Sequence, residues 1–494
     1  MRPGMILFSV VVLFLCAGIL TPKEMLEGFS NKGMITVALL FLVSEGIRQS
    51  GTLGQVIKKL LPQGKTTVFK AQLRILPSVA FISAFLNNTP VVVIFAPIIK
   101  HWAKSVNLPA TKFLIPLSYV TILGGICTLI GTSTNLVVHG MILEAGFEGF
   151  SMFELGKVGI FIAIAGIIYI FLFSKRLLPD ARPDTAVPDE EVEEGEKLHR
   201  VEAVLGARFP GINKKLKDFN FQRHYGAEVK EIKTRNGQRF VTNLDDVVLH
   251  EGDTLVVMAD DTFIPTWGES SVFVLLTNGN EPDTTGKKKR WFALLLLVLM
   301  IVGATVGELP ITKEMFPGIK LDMFFFVSIT TIIMAWTNLF PARKYTKYIS
   351  WDILITIACA FAISKAMVNS GVADSVAKFI IGLSDDYGPH VLLAMVFIIT
   401  NLFTELITNN AAAALAFPLA LSISAQLGVS PTPFFVVICM AASASFSTPI
   451  GYQTNLIVQG IGNYKFTDFV RIGLPLNIIT FLISIILIPL IWNF

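Results

Sequence analysis

Two thirteen-residue segments of this chain are near copies of one another, and they constrain its fold more than any other feature. Residues 128–140 read TLIGTSTNLVVHG and residues 448–460 read TPIGYQTNLIVQG, with eight identical positions. A glycine, a threonine and an asparagine recur inside otherwise apolar sequence, at Gly131, Thr134, Asn135, Gly451, Thr454 and Asn455. Polar residues repeated within apolar runs predict a binding site shared by two structural copies.

The composition of the chain places both copies in a membrane. Of its 494 residues, 53% are hydrophobic and only 15% are charged, which is typical of an integral membrane protein. The formal net charge of +4 is small, so charge predicts no nucleic-acid partner. The sequence contains no GxGxxG, P-loop or nucleophile motif, and it therefore does not predict an enzyme.

Apolar runs of about twenty residues predict nine full membrane spans. They lie near 5–20, 33–50, 113–143, 155–175, 291–308, 322–340, 351–368, 433–462 and 468–492. Two further apolar regions, 73–103 and 390–427, are each interrupted near the middle by polar residues. Their arms are too short or too interrupted for separate spans, so both regions are predicted to form re-entrant helical hairpins. The predicted tips are Asn87-Asn88-Thr89 and Thr408-Asn409-Asn410.

The repeat extends beyond the first two segments. FLVSEGIRQSG at 41–51 matches FAISKAMVNSG at 361–371, again 320 residues further along the chain. One unpaired span precedes the second copy, and an odd number of spans between copies inverts the second one. The predicted fold class is therefore an all-α polytopic membrane protein with inverted repeats, two re-entrant hairpins and two broken helices, plus a small α+β cytoplasmic domain. The predicted domains are a first repeat, 1–178, with a broken helix at 131–135; an insert, 179–290; and an extra span with the second repeat, 291–494, with a broken helix at 449–455.

The distribution of basic residues predicts how the chain is oriented in the inner membrane of the cell. They cluster near 58–70, 100–112 and 343–347, whereas the loop 144–154 contains no Lys or Arg. Because cytoplasmic loops carry the excess of Lys and Arg, the N-terminus and the insert are predicted to be cytoplasmic and the C-terminus to lie outside. The N-terminal run 1–20 is interpreted as a retained span rather than a signal peptide, since its repeat partner is a span.

The insert has the character of a small water-soluble domain. Strand-like segments lie at 201–205, 227–234 and 253–259, separated by turn sequences. Over residues 200–265, Phe209-Pro210-Gly211, Tyr225-Gly226, the 228–235 strand and the 249–253 segment resemble the TrkA C-terminal domain. That resemblance implies regulation by a small ligand such as a nucleotide. The insert is equally compatible with a dimerisation or stability module that binds no ligand.

The two membrane halves resemble the divalent anion/sodium symporter family, within a wider ion transporter superfamily. That family has a Ser-Asn-Thr motif at each hairpin tip, and the triplets here keep the central Asn88 and Asn409. The first position differs in both copies, and Asn410 replaces a hydroxyl residue at the last position of the second. Five residues before each central asparagine the family has a sodium-binding hydroxyl, matched by Ser83 and Thr404. The resemblance implies sodium coupling and an elevator-like homodimer.

The predicted binding residues follow from this resemblance and from the chemistry of interrupted helices. Sodium is a hard cation that suits hydroxyl, amide and carbonyl oxygens, and a broken helix exposes carbonyls that have lost their helical donors. The predicted sodium ligands are Ser83, Asn87, Asn88, Gly131, Asn135, Thr404, Thr408, Asn409, Gly451 and Asn455. The anion is predicted to bind between the two ion sites, at Asn88, Thr89, Thr134, Asn409, Asn410 and Thr454.

The sequence therefore predicts a membrane-embedded symporter that moves sulfate or a dicarboxylate inward with sodium. Two other functions stay open. Glu405, next to Thr404, supports a sodium/proton antiporter, although an acid there is more often salt-bridged or interfacial. The TrkA-like insert suggests a ligand-gated channel, but the sequence has no T-V-G-Y-G filter.

Overall fold

A computed structural model shows a mainly α-helical chain with one small antiparallel sheet. It describes residues 3–180, 199–206, 208–234, 238–260, 263–267, 272–277, 287–316, 318–383 and 388–494. The architecture is that of a polytopic membrane protein with a small α+β insert, which confirms the predicted fold class.

The first membrane copy follows the order of the predicted spans. Its described helices are α1 (Pro3–Cys16), α2 (Pro22–Glu27), α3 (Lys32–Gln49), α4 (Thr52–Leu60), α5 (Val68–Ser83), α6 (Asn88–Ser105), α7 (Thr111–Gly125), α8 (Ser133–Glu144) and α9 (Gly156–Leu177).

The insert contains a five-stranded sheet with strand order β3-β2-β4-β1-β5. Its elements are β1 (His199–Leu205), α10 (Phe221–Tyr225), β2 (Glu228–Lys233), β3 (Arg239–Phe240), β4 (Thr254–Ala259), α11 (Phe263–Trp267) and β5 (Phe273–Thr277). The three strands predicted from the sequence correspond to β1, β2 and β4. The sequence missed β5, which pairs with β1, so the folded unit extends beyond the predicted boundary at 265. Residues 181–198 and 278–286 of the predicted insert lie outside the described residues.

The second copy repeats the order of the first after one additional helix. Its described helices are α12 (Lys287–Gly307), α13 (Pro310–Met315), α14 (Met323–Trp336), α15 (Tyr345–Tyr348), α16 (Trp351–Asn369), α17 (Val372–Leu383), α18 (Pro389–Leu406), α19 (Asn409–Leu427), α20 (Thr432–Ser443), α21 (Gln453–Gly462) and α22 (Phe466–Ile491).

Seven helical segments among the described residues are long and apolar enough to cross a membrane. They are Pro22–Gln49, Gly156–Leu177, Lys288–Gly307, Trp351–Asn369, Pro389–Leu406, Asn409–Leu427 and Phe466–Ile491. Two predicted spans, α1 and α14, are apolar helices of only 14 residues each. Two others, 113–143 and 433–462, are each divided into two shorter helices.

The breaks in those two spans begin earlier than predicted. The stretches without α-helix are 126–132 and 444–452, whereas the sequence placed the breaks at 131–135 and 449–455. Within each stretch a threonine hydroxyl accepts a hydrogen bond from the glycine N–H three residues later and closes a turn. A new helix begins two residues after that glycine, so the last residues of each predicted break form a first helical turn.

The turns of the two helical hairpins overlap the predicted tips only at Asn87 and Thr408, and the other tip residues lie in the first turn of the next helix. Residues 84–87 join α5 to α6, and residues 407–408 join α18 to α19. The arms of the second hairpin are 18 and 19 residues long, so each is long enough to cross a membrane, contrary to the sequence reading. Its tip is nevertheless enclosed, because Asn409 and Asn410 are each only 8% exposed. α19 therefore begins inside the protein.

The two copies pack against each other reciprocally. α6 of the first copy contacts α21 of the second, and α19 of the second contacts α8 of the first. The pairs α1–α16 and α14–α3 are related in the same way, as are α7–α21 and α20–α8. Exchanged contacts of this kind arise when two copies are related by a twofold axis, which inverted repeats possess.

The helices divide into two groups. α1, α3, α12, α14 and α16 contact one another and form what we term the scaffold cluster. α5 to α9 and α18 to α22 surround the two tips and form the hairpin bundle. The groups meet where α3 packs on α8 and α16 packs on α19.

Candidate binding site between the hairpin tips

The first hairpin brings three oxygen atoms together beneath its tip. Ser83 ends α5, and its hydroxyl lies 2.8 Å from Asn88 Oδ1 at the start of α6. The same hydroxyl lies 2.9 Å from the Thr121 carbonyl oxygen on α7. Ser83 and Asn88 are buried. Because a hydroxyl has a single hydrogen to donate, this cluster contains more acceptors than donors.

The second hairpin repeats the same cluster. Thr404 Oγ1 lies 2.8 Å from Asn409 Oδ1 and 2.6 Å from the Ala442 carbonyl oxygen on α20. Each of these residues lies 321 positions after its counterpart in the first cluster. The sequence predicted the hydroxyl and the amide of both clusters. It missed the carbonyls, because every residue type carries one and only the fold selects which of them faces the cluster.

The orientation of the Asn88 amide decides the character of the first cluster. When the amide is turned by 180°, its nitrogen donates to Ser83 Oγ at 2.8 Å and to the Thr121 carbonyl at 3.0 Å. The nitrogen also reaches the Gly131 carbonyl at 3.3 Å, and the amide oxygen accepts from the Tyr452 hydroxyl at 2.6 Å. The turned orientation satisfies the hydrogen-bonding groups of the cluster. The unturned one directs three oxygens to a common point, which suits a cation.

A short turn shapes each broken helix. Thr128 Oγ1 accepts from the Gly131 N–H at 3.1 Å, and Thr448 Oγ1 accepts from the Gly451 N–H at 3.2 Å. The glycine is required for close approach, because a Cβ at Gly451 would lie 2.6 Å from the Thr404 carbonyl oxygen. The predicted glycines therefore act by letting the break approach the hairpin.

The asparagines of the repeated motif stabilise the breaks. Asn135 Nδ2 donates to the Thr128 carbonyl at 2.9 Å, and Asn455 Nδ2 donates to the Thr448 carbonyl at 3.1 Å. Asn455 Oδ1 lies 2.7 Å from Ser118 Oγ. Asn135 Oδ1 is buried and has no hydrogen-bond partner among the described residues. That oxygen is therefore free to serve as a ligand.

The first tip contacts the second break. Asn88 Nδ2 lies 2.6 Å from the Tyr452 hydroxyl, and Thr89 Oγ1 lies 3.4 Å from Gln453 Oε1. The Tyr452 hydroxyl is also 3.2 Å from Thr132 Oγ1 in the first break. Tyr452 thus bridges elements of both copies at the centre of the bundle.

The second tip contacts the first break in turn. Asn410 Oδ1 lies 3.3 Å from Ser133 Oγ and 3.2 Å from Thr134 Oγ1. Through these contacts the N-termini of α6, α8, α19 and α21 are brought together. Helix N-termini carry unpaired N–H groups and a partial positive charge, so their convergence favours an anion.

The two predicted sodium ligands in the hairpin turns, Asn87 and Thr408, lie outside the oxygen clusters. Thr408 caps α19, because its hydroxyl accepts from the Ala411 N–H at 3.4 Å. Asn87 lines a small cavity between the hairpin bundle and the scaffold cluster, together with Ser44 and Ser133. A cap and a cavity wall are different positions from the buried clusters, although the sequence predicted sodium ligands at all of these positions.

Several side chains at the site were missed by sequence reasoning. Ser118 on α7 contacts both Asn455 and Thr454, at 2.7 and 2.8 Å, so Thr454 faces α7 rather than a tip. Tyr452 was also missed, although it lies inside the repeated motif, where it replaces Thr132. A polar aromatic residue at a helix break was the available signal. Ser118 lies in α7 outside every repeated motif, so the sequence gave no signal for it.

Glu405 is the only charged residue in the tip and break segments 83–92, 128–137, 404–413 and 448–457. Its Oε1 accepts from the Ser447 N–H at 2.9 Å and from Asn477 Nδ2 at 2.8 Å. The sequence favoured a salt-bridged or interfacial acid here, and the described residues contain no salt bridge to Glu405. The carboxylate instead connects the second break to α22.

Inverted repeats, two hairpins and two broken helices that meet at buried polar clusters define a secondary membrane transporter. Comparison with protein families gives the same class and narrows it. The citrate transporter family (CitMHS) matches residues 1–428 and 326–493 of this chain. The chain therefore belongs to the citrate transporter family.

Individual relatives also support a transport protein. The chain is 30% identical to an uncharacterized transporter of Synechocystis sp., over 98% of this chain and 93% of the relative. It is 23% identical to the probable sodium/sulfate cotransporter 3 of Chlamydomonas reinhardtii, over 96% and 84%. It is 31% identical to the sodium/sulfate cotransporter 2 of the same organism, over 57% of this chain and 31% of that protein. The resemblance to divalent anion/sodium symporters is confirmed.

Proposed function

We propose that this transporter moves a small divalent anion, sulfate or a dicarboxylate, into the cell together with sodium. The observation that carries the proposal is the duplicated oxygen cluster, Ser83 with Asn88 and Thr404 with Asn409, each completed by a carbonyl of the adjacent helix. Two relatives are named sodium/sulfate cotransporters, which supports both the ion and the class of anion.

Sodium binding at each cluster would use the oxygens already assembled there. At the first cluster these are Ser83 Oγ, the Thr121 carbonyl and Asn88 Oδ1 in its unturned orientation, with the Gly131 carbonyl close by. Because the ion favours one amide orientation over the other, binding would hold Asn88 Oδ1 toward Ser83 and its nitrogen toward the Tyr452 hydroxyl. Sodium would thereby prepare the first tip for the anion.

The anion would bind where the four helix N-termini meet, between the two sodium ions. Thr89, Ser133, Thr134, Asn410 and Gln453 provide hydroxyl and amide groups at this point. No Lys or Arg occurs in the tip and break segments. Attraction for the anion then depends on the bound cations, which couples the two ligands, since the sites without sodium would hold the anion weakly.

We further propose an elevator mechanism in a homodimer in the inner membrane. The hairpin bundle would move with its ligands, while the scaffold cluster would stay in place and form the dimer contact. The division of the helices into two groups supports this assignment. The cluster of basic residues in predicted cytoplasmic loops supports an N-terminus and insert inside the cell and a C-terminus outside.

The insert is positioned to influence the hairpin bundle. Lys100 near the end of α6 forms an ion pair with Glu202 of β1, at 2.8 and 3.0 Å. Gly252 packs against Leu456 of α21, so a Cβ there would lie 2.8 Å from Leu456 Cδ1. α6 and α21 both begin at the binding site. We propose that the docked insert restrains the bundle and that a small ligand, such as a nucleotide on the TrkA-like fold, adjusts that restraint.

The direct test is uptake into proteoliposomes that contain the purified full-length protein. Labelled sulfate and labelled dicarboxylates would be supplied under separate sodium and proton gradients. The proposal predicts accumulation driven by an inward sodium gradient and unaffected by a proton ionophore. Sodium flux driven in the opposite direction by a proton gradient, without uptake of the labelled anion, would instead establish the sodium/proton antiporter. Single-channel currents would establish the channel.

A further inference from the structure

A second polar cluster lies beside the second break, apart from the residues assigned to the two sodium sites. Glu405 Oε1 accepts from Asn477 Nδ2 at 2.8 Å, and the same amide nitrogen lies 2.9 Å from Ser447 Oγ. α22 comes this close because Gly473 faces the Phe446 carbonyl, where a Cβ would collide. Asn477 is 6% exposed. The fold therefore places a carboxylate, an amide and a hydroxyl in one buried group.

Two oxygens of this group have no donor. Glu405 Oε2 and Asn477 Oδ1 are both buried and have no hydrogen-bond partner among the described residues. The Asn477 nitrogen faces Glu405 Oε1 and Ser447 Oγ at 2.8 and 2.9 Å, so a 180° turn of the amide would place Oδ1 at that point beside both oxygens. Buried acceptors without donors are unfavourable unless a water molecule or a cation satisfies them.

The first copy has nothing polar in the equivalent place. Gly159 of α9 faces the Ile126 carbonyl as Gly473 faces the Phe446 carbonyl, which fixes the correspondence of the two helices. The residues equivalent to Glu405, Ser447 and Asn477 are then Ala84, Cys127 and Ala163. Three polar residues thus replace two alanines and a cysteine together, in one copy only. A general need of the fold would have placed polar residues in both.

We propose that Glu405, Asn477 and Ser447 form a third sodium site, in the second copy only. The inference rests on the proposed sodium symport. Sodium suits the available ligands, a carboxylate oxygen, an amide oxygen and a hydroxyl oxygen. The site also resolves an electrostatic conflict, because Glu405 is the only charged residue of the tip and break segments of an anion transporter. A bound sodium cancels that negative charge before the anion enters.

The third ion has a measurable consequence for coupling. Two sodium ions exactly offset a divalent anion, whereas three carry one net positive charge inward in each cycle. Transport is then driven by the membrane potential as well as by the sodium gradient. The Glu405 backbone carbonyl also accepts from Thr448 Oγ1 at 3.2 Å, so the third site shares its backbone with the second break.

The experiment compares the wild-type protein with Glu405→Gln and with the triple variant E405A/S447C/N477A, which gives the second copy the residues of the first. Sodium-to-anion stoichiometry is measured from the reversal potential of uptake in proteoliposomes, and ²²Na⁺ binding is measured on purified protein. Both variants are expected to lose one sodium ion per anion and to transport without net charge. The Glu154→Gln variant is the control, because Glu154 also accepts from a backbone N–H and from a side chain next to α22.

The outcomes separate this inference from the proposed function. If wild-type uptake does not depend on sodium, the proposed function itself is wrong. If the wild type is sodium-coupled and both variants keep its stoichiometry and sodium binding, the third site is wrong. Glu405→Gln retains the shape of the side chain, so a triple variant that fails to fold leaves that comparison intact. Loss of coupled protons with unchanged sodium stoichiometry would also overturn the sodium assignment.

Discussion

Each oxygen cluster depends on the hydroxyl group of a single residue. Ser83 and Thr404 each touch both the tip asparagine and a carbonyl of the neighbouring helix. Thr400, one turn earlier on α18, is equally buried, but its hydroxyl bonds only to the Val396 carbonyl of its own helix at 2.7 Å. Nearby threonines on one helix therefore have different roles.

This difference gives a matched pair of variants. Thr404→Val keeps the shape of the side chain and removes the hydroxyl oxygen, so we expect the apparent sodium affinity for uptake to fall by about tenfold or more. Thr400→Val should leave sodium affinity unchanged, and Thr404→Ser should restore it. Sodium titration of uptake measures all three. Equal effects of the two valine variants would show that the hydroxyl acts only in packing.

The sequence predicted which side chains lie together in each oxygen cluster, and their role as sodium ligands stays a prediction. The sequence identified Ser83, Asn88, Thr404 and Asn409, and the structure brings each pair together. It treated Thr408 as equivalent to these residues, although Thr408 caps a helix. Capping and cluster positions are adjacent in the sequence, so only the direction of each side chain in the fold distinguishes them.

Each broken helix contains a short turn, and a glycine in that turn allows it to lie against the neighbouring hairpin. The sequence recognised both broken spans but placed the breaks several residues late. It assumed that the polar residues themselves were non-helical. The structure shows that Asn135 and Asn455 lie in the first turn of the new helix and donate back to the break. The polar residues of the motif therefore predicted where each helix is broken, whereas side-chain hydrogen bonds determine the residue at which the new helix begins.

A Cβ at Gly451 should separate the second break from the second hairpin. Gly451→Ala would place a methyl group 2.6 Å from the Thr404 carbonyl oxygen, so we expect sodium-driven uptake to be lost or strongly reduced. Gly382→Ala is the control, because a Cβ at that helical glycine has no neighbour within 4 Å. Uptake and protein yield are measured for both variants. Normal sodium affinity in a well-folded Gly451→Ala protein would contradict this account of the break.

In the whole molecule, the insert connects the hairpin bundle to the scaffold cluster. It follows α9 and precedes α12 in the chain, and it also contacts α6 and α21. Burial raises the pKa of the Glu202 carboxyl, but Lys100 and Lys233 lower it more strongly, so it falls from 4.5 to about 2. Glu202 therefore stays charged, and its contribution to docking is present above the normal pKa and lost only as the pH falls through about 2.

Removing the ion pair should loosen the insert. Lys100→Met is expected to speed backbone amide exchange in β1 and to raise the rate of uptake, because the restraint on α6 is weakened. Lys104→Met, an exposed lysine on the same helix, should change neither quantity. Both variants are compared by hydrogen exchange and by initial uptake rates between about pH 6 and pH 8, where Glu202 is charged throughout. Identical behaviour of the two variants would argue against a restraining insert.

The arrangement of the two membrane halves was predictable because the sequence contains a repeat. The repeated motif and the odd span between copies predicted inverted halves, and the reciprocal packing of α6 on α21 and α19 on α8 agrees with them. The docking of the insert was not predictable. It depends on the close fit of Gly252 to Leu456, two residues from separate motifs whose contact neither motif predicts.

The central claim is that the two hairpin-tip asparagines bind the sodium ions that drive transport. It is tested most directly by sodium-driven uptake of the labelled anion into proteoliposomes containing Asn88→Ala, Asn409→Ala or the double variant. The account predicts that each single substitution weakens sodium dependence and that the double variant shows no sodium-driven uptake. A folded double variant that retains full sodium-driven uptake would contradict the claim.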